Sequence, residues 1–161
     1  MVAAVFLLQI LVGSLMAHYY TERTAFYGIP IDKYIPFNFL RDVHIQSPIV
    51  WIGISWIGGA LFLAPAISGR EAKWQGFLVD VLFYVTVFIV VGALVGDYLG
   101  LMGYIKEGWF WFGNQGLSYI ELGRFWQIGF FSGLVIWSVL VFRALWPTKD
   151  SLWKATGEFW T

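Results

Sequence analysis

The sequence contains no cysteine. That excludes disulfides, thiolate metal sites, a cysteine nucleophile and covalent attachment of a c-type haem. Charge is scarce too: 12% of the 161 residues are charged, against about 25% in a soluble domain. Ten basic and ten acidic residues cancel, so there is no basic field to attract nucleic acid, and none is expected as a partner. Histidine occurs twice, at His18 and His44, too few for a multi-histidine metal centre. No P-loop, dinucleotide fingerprint or nucleophile–base–acid set is visible. The chain is therefore not expected to carry a complete active site, and no residue is assigned a catalytic role. What is abundant is apolar: 59% of residues are hydrophobic, 20% are aromatic and ten are Trp. That composition suits a membrane protein with aromatic belts at the interfaces.

Four stretches carry little or no charge: residues 1–21, 43–69, 77–105 interrupted by Asp80 and Asp97, and 125–142. A helix needs about 20 mainly apolar residues to cross the hydrocarbon core, and it satisfies its own backbone polar groups there. The reading is an all-α membrane protein, one transmembrane region over residues 1–161, with spans near 1–20, 43–66, 77–102 and 124–146. The first run lacks the basic segment and the small-residue cleavage site of a signal peptide. It begins inside apolar sequence, so further chain is expected upstream. Residues 21–42 form a polar loop with Pro30 and Pro36, residues 68–74 a short turn, and residues 103–123 an aromatic, glycine-rich interfacial loop. Pro147 is expected to end the last span. Basic residues divide five and five between the two sides. The concentration of Arg70, Lys73, Arg143, Lys149 and Lys154 in short segments favours that side as cytoplasmic. Gly53, Gly58, Gly59 and Gly92 are small residues that let helices approach in lipid, and their partners are expected on helices outside this chain.

Few polar residues remain for chemistry. His44 is expected to open the second span, where a neutral imidazole can ligate haem iron or simply hydrogen-bond at the interface. Arg41, one turn earlier on roughly the same face, can pair with a haem propionate. By parity of the spans His18 lies on the same side, so a haem held between His18 and His44 is geometrically open. His18 also reads as a belt residue beside Tyr19 and Tyr20. Glu121 can bind a hard cation such as calcium, or pair with Arg124 three residues on. Asp80 and Asp97 are intramembrane carboxylates, a functional signal in lipid, but both sit near span ends and are expected to be solvated.

Longer stretches carry a family resemblance. The run Ile35-Pro36-Phe37-Asn38-Phe39-Leu40-Arg41-Asp42-Val43-His44, with the apolar sequence to Ala64-Pro65, resembles the second catalytic-domain helix of bacterial nitric oxide reductases. The stretch from Trp111-Phe112-Gly113-Asn114 through Ser118-Tyr119-Ile120-Glu121 to Arg124-Phe125-Trp126-Gln127 resembles the quinol-dependent branch. So does Ala17-His18-Tyr19-Tyr20 with Phe26-Tyr27-Gly28-Ile29-Pro30. The resemblance covers nearly the whole chain, and the family belongs to the haem–copper oxidase superfamily. It implies a partial haem–copper-oxidase-like bundle in the bacterial inner membrane, acting in the respiratory electron transport of denitrification. It places His44 at an axial ligand of low-spin haem b, Arg41 beside the haem propionates, and Glu121 at a calcium ion between two haems.

Departures from that pattern carry their own implications. Asn114 and Ser118 stand where the quinol branch usually has His and Glu, residues associated with the quinol site. Asn does not take up a proton as imidazole does, and Ser is not an acid near neutral pH. Quinol is therefore a doubtful donor. Substitutions of this kind look like those of the related nitric oxide dismutases, which need no quinol. The second haem, its ligand, the partner ligand to His44 and the non-haem iron belong to catalytic helices beyond these four. Those helices are expected on a continuation of the chain or on a partner subunit. The reading that needs no partner is a small b-type cytochrome ligated by His18 and His44.

Overall fold

The computed structural model describes residues 1–23, 28–114 and 122–148. Five α-helices account for nearly all of them: α1 (Val2–Glu22), α2 (Phe37–Ser68), α3 (Gln75–Leu101), the short α4 (Trp109–Phe112) and α5 (Arg124–Leu145). Two single 3-10 turns, Ile31–Lys33 and Trp146–Thr148, complete the regular structure. Four helices are long and apolar enough to cross a membrane, with α5 continuing into its 3-10 turn. Only 6–22% of each apolar window is buried within the chain. Side chains such as Trp56, Phe62, Tyr84 and Phe131 are therefore left to lipid or to neighbouring helices.

The spans fall where the apolar runs place them, except at one end. α2 begins at Phe37, not near residue 43. Pro36 holds φ −65° and ψ 147° and caps the helix; its fixed φ and missing N–H suit a helix start. The polar residues Asn38, Arg41 and Asp42 then belong to the first turns of the helix and interrupt the apolar pattern without ending it. His44 therefore does not open α2. It lies in the third turn, about 10 Å along the axis from the helix start.

At its other end α2 stops at Gly69, whose φ of 68° is the left-handed conformation that releases a helix. The chain turns, and Trp74 precedes α3 at φ 65° with its ring against Phe77. Arg143, near the end of α5, donates through Nη2 to the Lys73 carbonyl at 2.9 Å and fastens this turn. Pro147 sits in the 3-10 turn that follows α5, as its lack of an N–H requires.

Two small cores hold the bundle together. Val12 of α1 meets Leu40 and Val43 of α2, with Leu94 of α3 closing the cluster. Ile89 and Ala93 of α3 meet Trp126 of α5. This second contact rests on a glycine edge at i, i+4 and i+8 of α3. A Cβ on Gly92 would lie 2.2 Å from the Trp126 ring, and one on Gly96 would lie 1.6 Å from the Phe112 carbonyl oxygen. Gly92 thus finds its partner inside the chain, contrary to the sequence expectation. Gly53, Gly58 and Gly59 of α2 face open space: a Cβ at any of them would meet nothing within 4 Å. The aromatic loop also holds more order than its composition announces: α4 lies across α3 and α5, and Trp126 Nε1 donates to the Phe112 carbonyl at 3.0 Å.

Candidate functional site

His44 of α2 faces the middle of α1. Its Nδ1 lies 3.0 Å from the backbone carbonyl of Gln9. A carbonyl oxygen only accepts, so Nδ1 carries the proton and the Nε2 lone pair is left free. Nε2 has no hydrogen-bond partner among the described residues, and the side chain is half-buried. Pro48, four residues on, has no N–H, so the His44 carbonyl lacks its usual intrahelical donor. The local geometry therefore presents an imidazole anchored through Nδ1 and oriented by α1 within a spanning helix.

Two residues before His44, Asp42 is fully buried. Its Oδ1 accepts from Arg41 Nε at 3.3 Å and Nη2 at 3.2 Å. Its Oδ2 accepts from Asn114 Nδ2 at 2.8 Å. A carboxylate removed from water needs this compensation by a cation and a donor. Asn114 is itself fully buried. Asn114 thus ties the α4 segment to the His44 helix. Arg41, read from sequence as a propionate partner, has at least part of its guanidinium engaged by Asp42.

His18 does not join this site. Its Nδ1 meets Glu22 Oε1 at 3.1 Å, one turn along α1. At about 100° per residue His18 is turned about 140° from Gly13, the residue against which His44 packs. His18 is thus turned away from the edge of α1 that His44 packs against. Asp97 is fully buried in α3, not solvated, while Asp80 is exposed as expected. Arg124 donates to Gln127 at 2.7 Å and lies over the Phe110 ring. Glu121 and Ser118 lie outside the described residues, and so does the calcium expectation. Among the described residues no group of three or more metal-ligating side chains converges.

Between α1, α2, α3 and α5 lies a cavity of about 620 Å³. Its wall is mainly apolar; Ser47 and Thr86 within it bond to carbonyls of their own helices, Gln127 donates to the Leu122 carbonyl, and Gln46 also lines it. It offers no polar chemistry comparable to that at His44.

Sequence reasoning passes over Gln9, Gly13, Trp51 and Asp42. Gln9 and Gly13 carry a signal all the same. They are the one amide and the one glycine of a mainly apolar first run, spaced i and i+4 on one face. Asp42 gives none, because its partner Asn114 is 72 residues away.

Among curated proteins no match to the chain is found. The profile of the family described as Cytochrome C and Quinol oxidase polypeptide I matches residues 1–160. With that match over residues 1–160 and four helices able to span a membrane, the chain belongs to that family, the haem–copper oxidase subunit I family.

Proposed function

We propose that this chain is the haem-b-binding, membrane-embedded portion of a nitric oxide reductase-type enzyme in the bacterial inner membrane. The observation that carries this reading is the His44 imidazole, its proton held on Nδ1 and its Nε2 lone pair unspent. Those features suit an axial haem ligand, which must offer a neutral nitrogen while its other N–H is anchored. Haem b, when bound, relays single electrons toward a catalytic centre. In this chain His44 would hold the iron, and Arg41 would balance a propionate while keeping its contact with Asp42. Glu121 would supply a carboxylate to calcium. The second haem, the non-haem iron and their ligands belong to the remaining catalytic helices, as does the second ligand of this haem.

The Asn114–Asp42 bond favours a second reading within the same enzyme class. A buried amide occupies the position where the quinol branch has an imidazole, and its Nδ2 is committed to Asp42. This supports an enzyme that does not draw on quinol, such as a nitric oxide dismutase. The two reactions differ in electron balance. Reduction joins two nitric oxides, two electrons and two protons into nitrous oxide and water. Dismutation converts two nitric oxides into dinitrogen and dioxygen with no donor. Isotope-labelled nitric oxide given anaerobically to membranes containing the complete assembly separates them. Labelled nitrous oxide formed only with added donor supports the reductase. Labelled dinitrogen with dioxygen, formed without donor, supports the dismutase. No consumption under either condition overturns both.

A further inference from the structure

The Gln9–Gly13 edge of α1 does more than pack against α2. The Gln9 carbonyl accepts a hydrogen bond from His44 Nδ1 at 3.0 Å. The same residue's side chain accepts from Trp51 Nε1 at 2.7 Å. Trp51 lies seven residues beyond His44 on α2, two helical turns away on the same face. Its ring is braced edge-on by Phe6 of α1, with centroids 5.5 Å apart. Gln9 thus grips α2 at two points, through its backbone at His44 and through its amide at Trp51. One turn along, Gly13 lets the imidazole lie against the bare backbone of α1. A Cβ there would lie 2.7 Å from His44 Cε1 and 3.1 Å from Nδ1. Contacts under 3.0 Å are essentially never tolerated, and an imidazole pinned between two helices is not the loose end of a flexible chain.

We infer that Gln9, Gly13 and Trp51 form a positioning device that sets the tautomer, tilt and basicity of the His44 ligand. The inference rests on the reading of His44 as an axial haem ligand and deepens it. A carbonyl accepting the Nδ1–H makes imidazole a stronger electron donor through Nε2. That favours ferric iron and lowers the reduction potential of the haem. Helix one then tunes the electron relay without touching the metal. None of the three residues is a ligand, and two of them lie on a helix that supplies no ligand.

The test is a set of single substitutions in the complete assembly, read by the low-spin haem EPR signal and by the midpoint potential of that haem. Gly13→Ala forces the ring away from the Gln9 carbonyl. It is expected to retain haem, to shift the low-spin g-values and to raise the potential. Trp51→Phe keeps an aromatic ring but removes the grip on the Gln9 amide, and is expected to move both readouts in the same direction by a smaller amount. Gly76→Ala, in the first turn of α3 with nothing within 4 Å, makes the same chemical change on a spanning helix and is expected to leave both unchanged. If Gly13→Ala fails to assemble, Trp51→Phe carries the test alone. His44→Ala keeps the two claims apart. Loss of the low-spin signal there, with Gly13→Ala and Trp51→Phe both indistinguishable from the unaltered protein, overturns the positioning device and leaves the ligand reading standing. An unaltered low-spin signal in His44→Ala overturns both.

Discussion

Alanine at Gly96 puts a methyl group where the fold has no room. The Cβ would lie 1.6 Å from the Phe112 carbonyl oxygen, 2.8 Å from its carbon and 3.1 Å from Trp126 Nε1. The first two are backbone atoms, so no side-chain rotation relieves the clash. The α4 segment must retreat from α3 by well over an ångström. The retreat stretches the bond from Trp126 Nε1 to that same carbonyl, now 3.0 Å. It also pulls on Asn114, two residues on, whose amide is bound to Asp42 at 2.8 Å. Overpacking of this kind costs about 1–3 kcal/mol, and a weakened hydrogen bond adds roughly 1 kcal/mol. A sum of about 3 kcal/mol corresponds to a fall in unfolding midpoint of roughly 6–12 °C for a chain of this size. Thermal unfolding of the detergent-extracted assembly, followed by near-ultraviolet circular dichroism of its tryptophans, measures it. Gly76→Ala, in the first turn of α3 with nothing within 4 Å, serves as the comparison and is expected to stay within about 1 kcal/mol. Equal midpoints for the two variants would refute the close crossing of α3 and α4.

Other substitutions probe the remaining contacts. Asn114→Leu leaves Asp42 Oδ2 without the amide donor and is expected to cost about 2 kcal/mol, read as a lowered unfolding midpoint; an unchanged midpoint would contradict the Asp42 tie. Tyr19→Phe removes the hydroxyl that donates to the Ile35 carbonyl, loosening the approach to α2 by about 1 kcal/mol, again visible as a lower midpoint. His18→Ala removes a part-buried contact with Glu22 and is expected to leave the haem spectrum untouched; loss of a low-spin haem would favour pairing of the two histidines.

The four spans are legible because lipid imposes length and apolarity on any helix that crosses it. Their apolar windows all reach a mean hydropathy of at least 1.8, and runs with little or no charge place each of them. The start of α2 is less legible for the same reason. Arg41 and Asp42 look like loop in a hydropathy scan, yet Asp42 is buried and compensated by Arg41 and Asn114. α4 is hidden because four aromatic residues in a glycine-rich loop have no periodicity to read. At the candidate site, His44 stands out as one of two histidines, but its depth and tautomer depend on α1, whose contribution is a backbone carbonyl and the missing side chain of Gly13. Neither leaves a chemical mark in the sequence beyond an i, i+4 spacing. Asp97 is not solvated as its position near a helix end suggests, because the α4 segment packs over neighbouring Gly96 and Gly100.

The central claim is that His44 supplies an axial nitrogen to a low-spin haem b. Haem content by pyridine haemochrome, measured beside the low-temperature EPR spectrum, tests it in the complete assembly. The account predicts that His44→Ala loses the low-spin signal and about one haem b per assembly, with the protein still inserted in the membrane. An unchanged haem-to-protein ratio and an unchanged low-spin signal would contradict it.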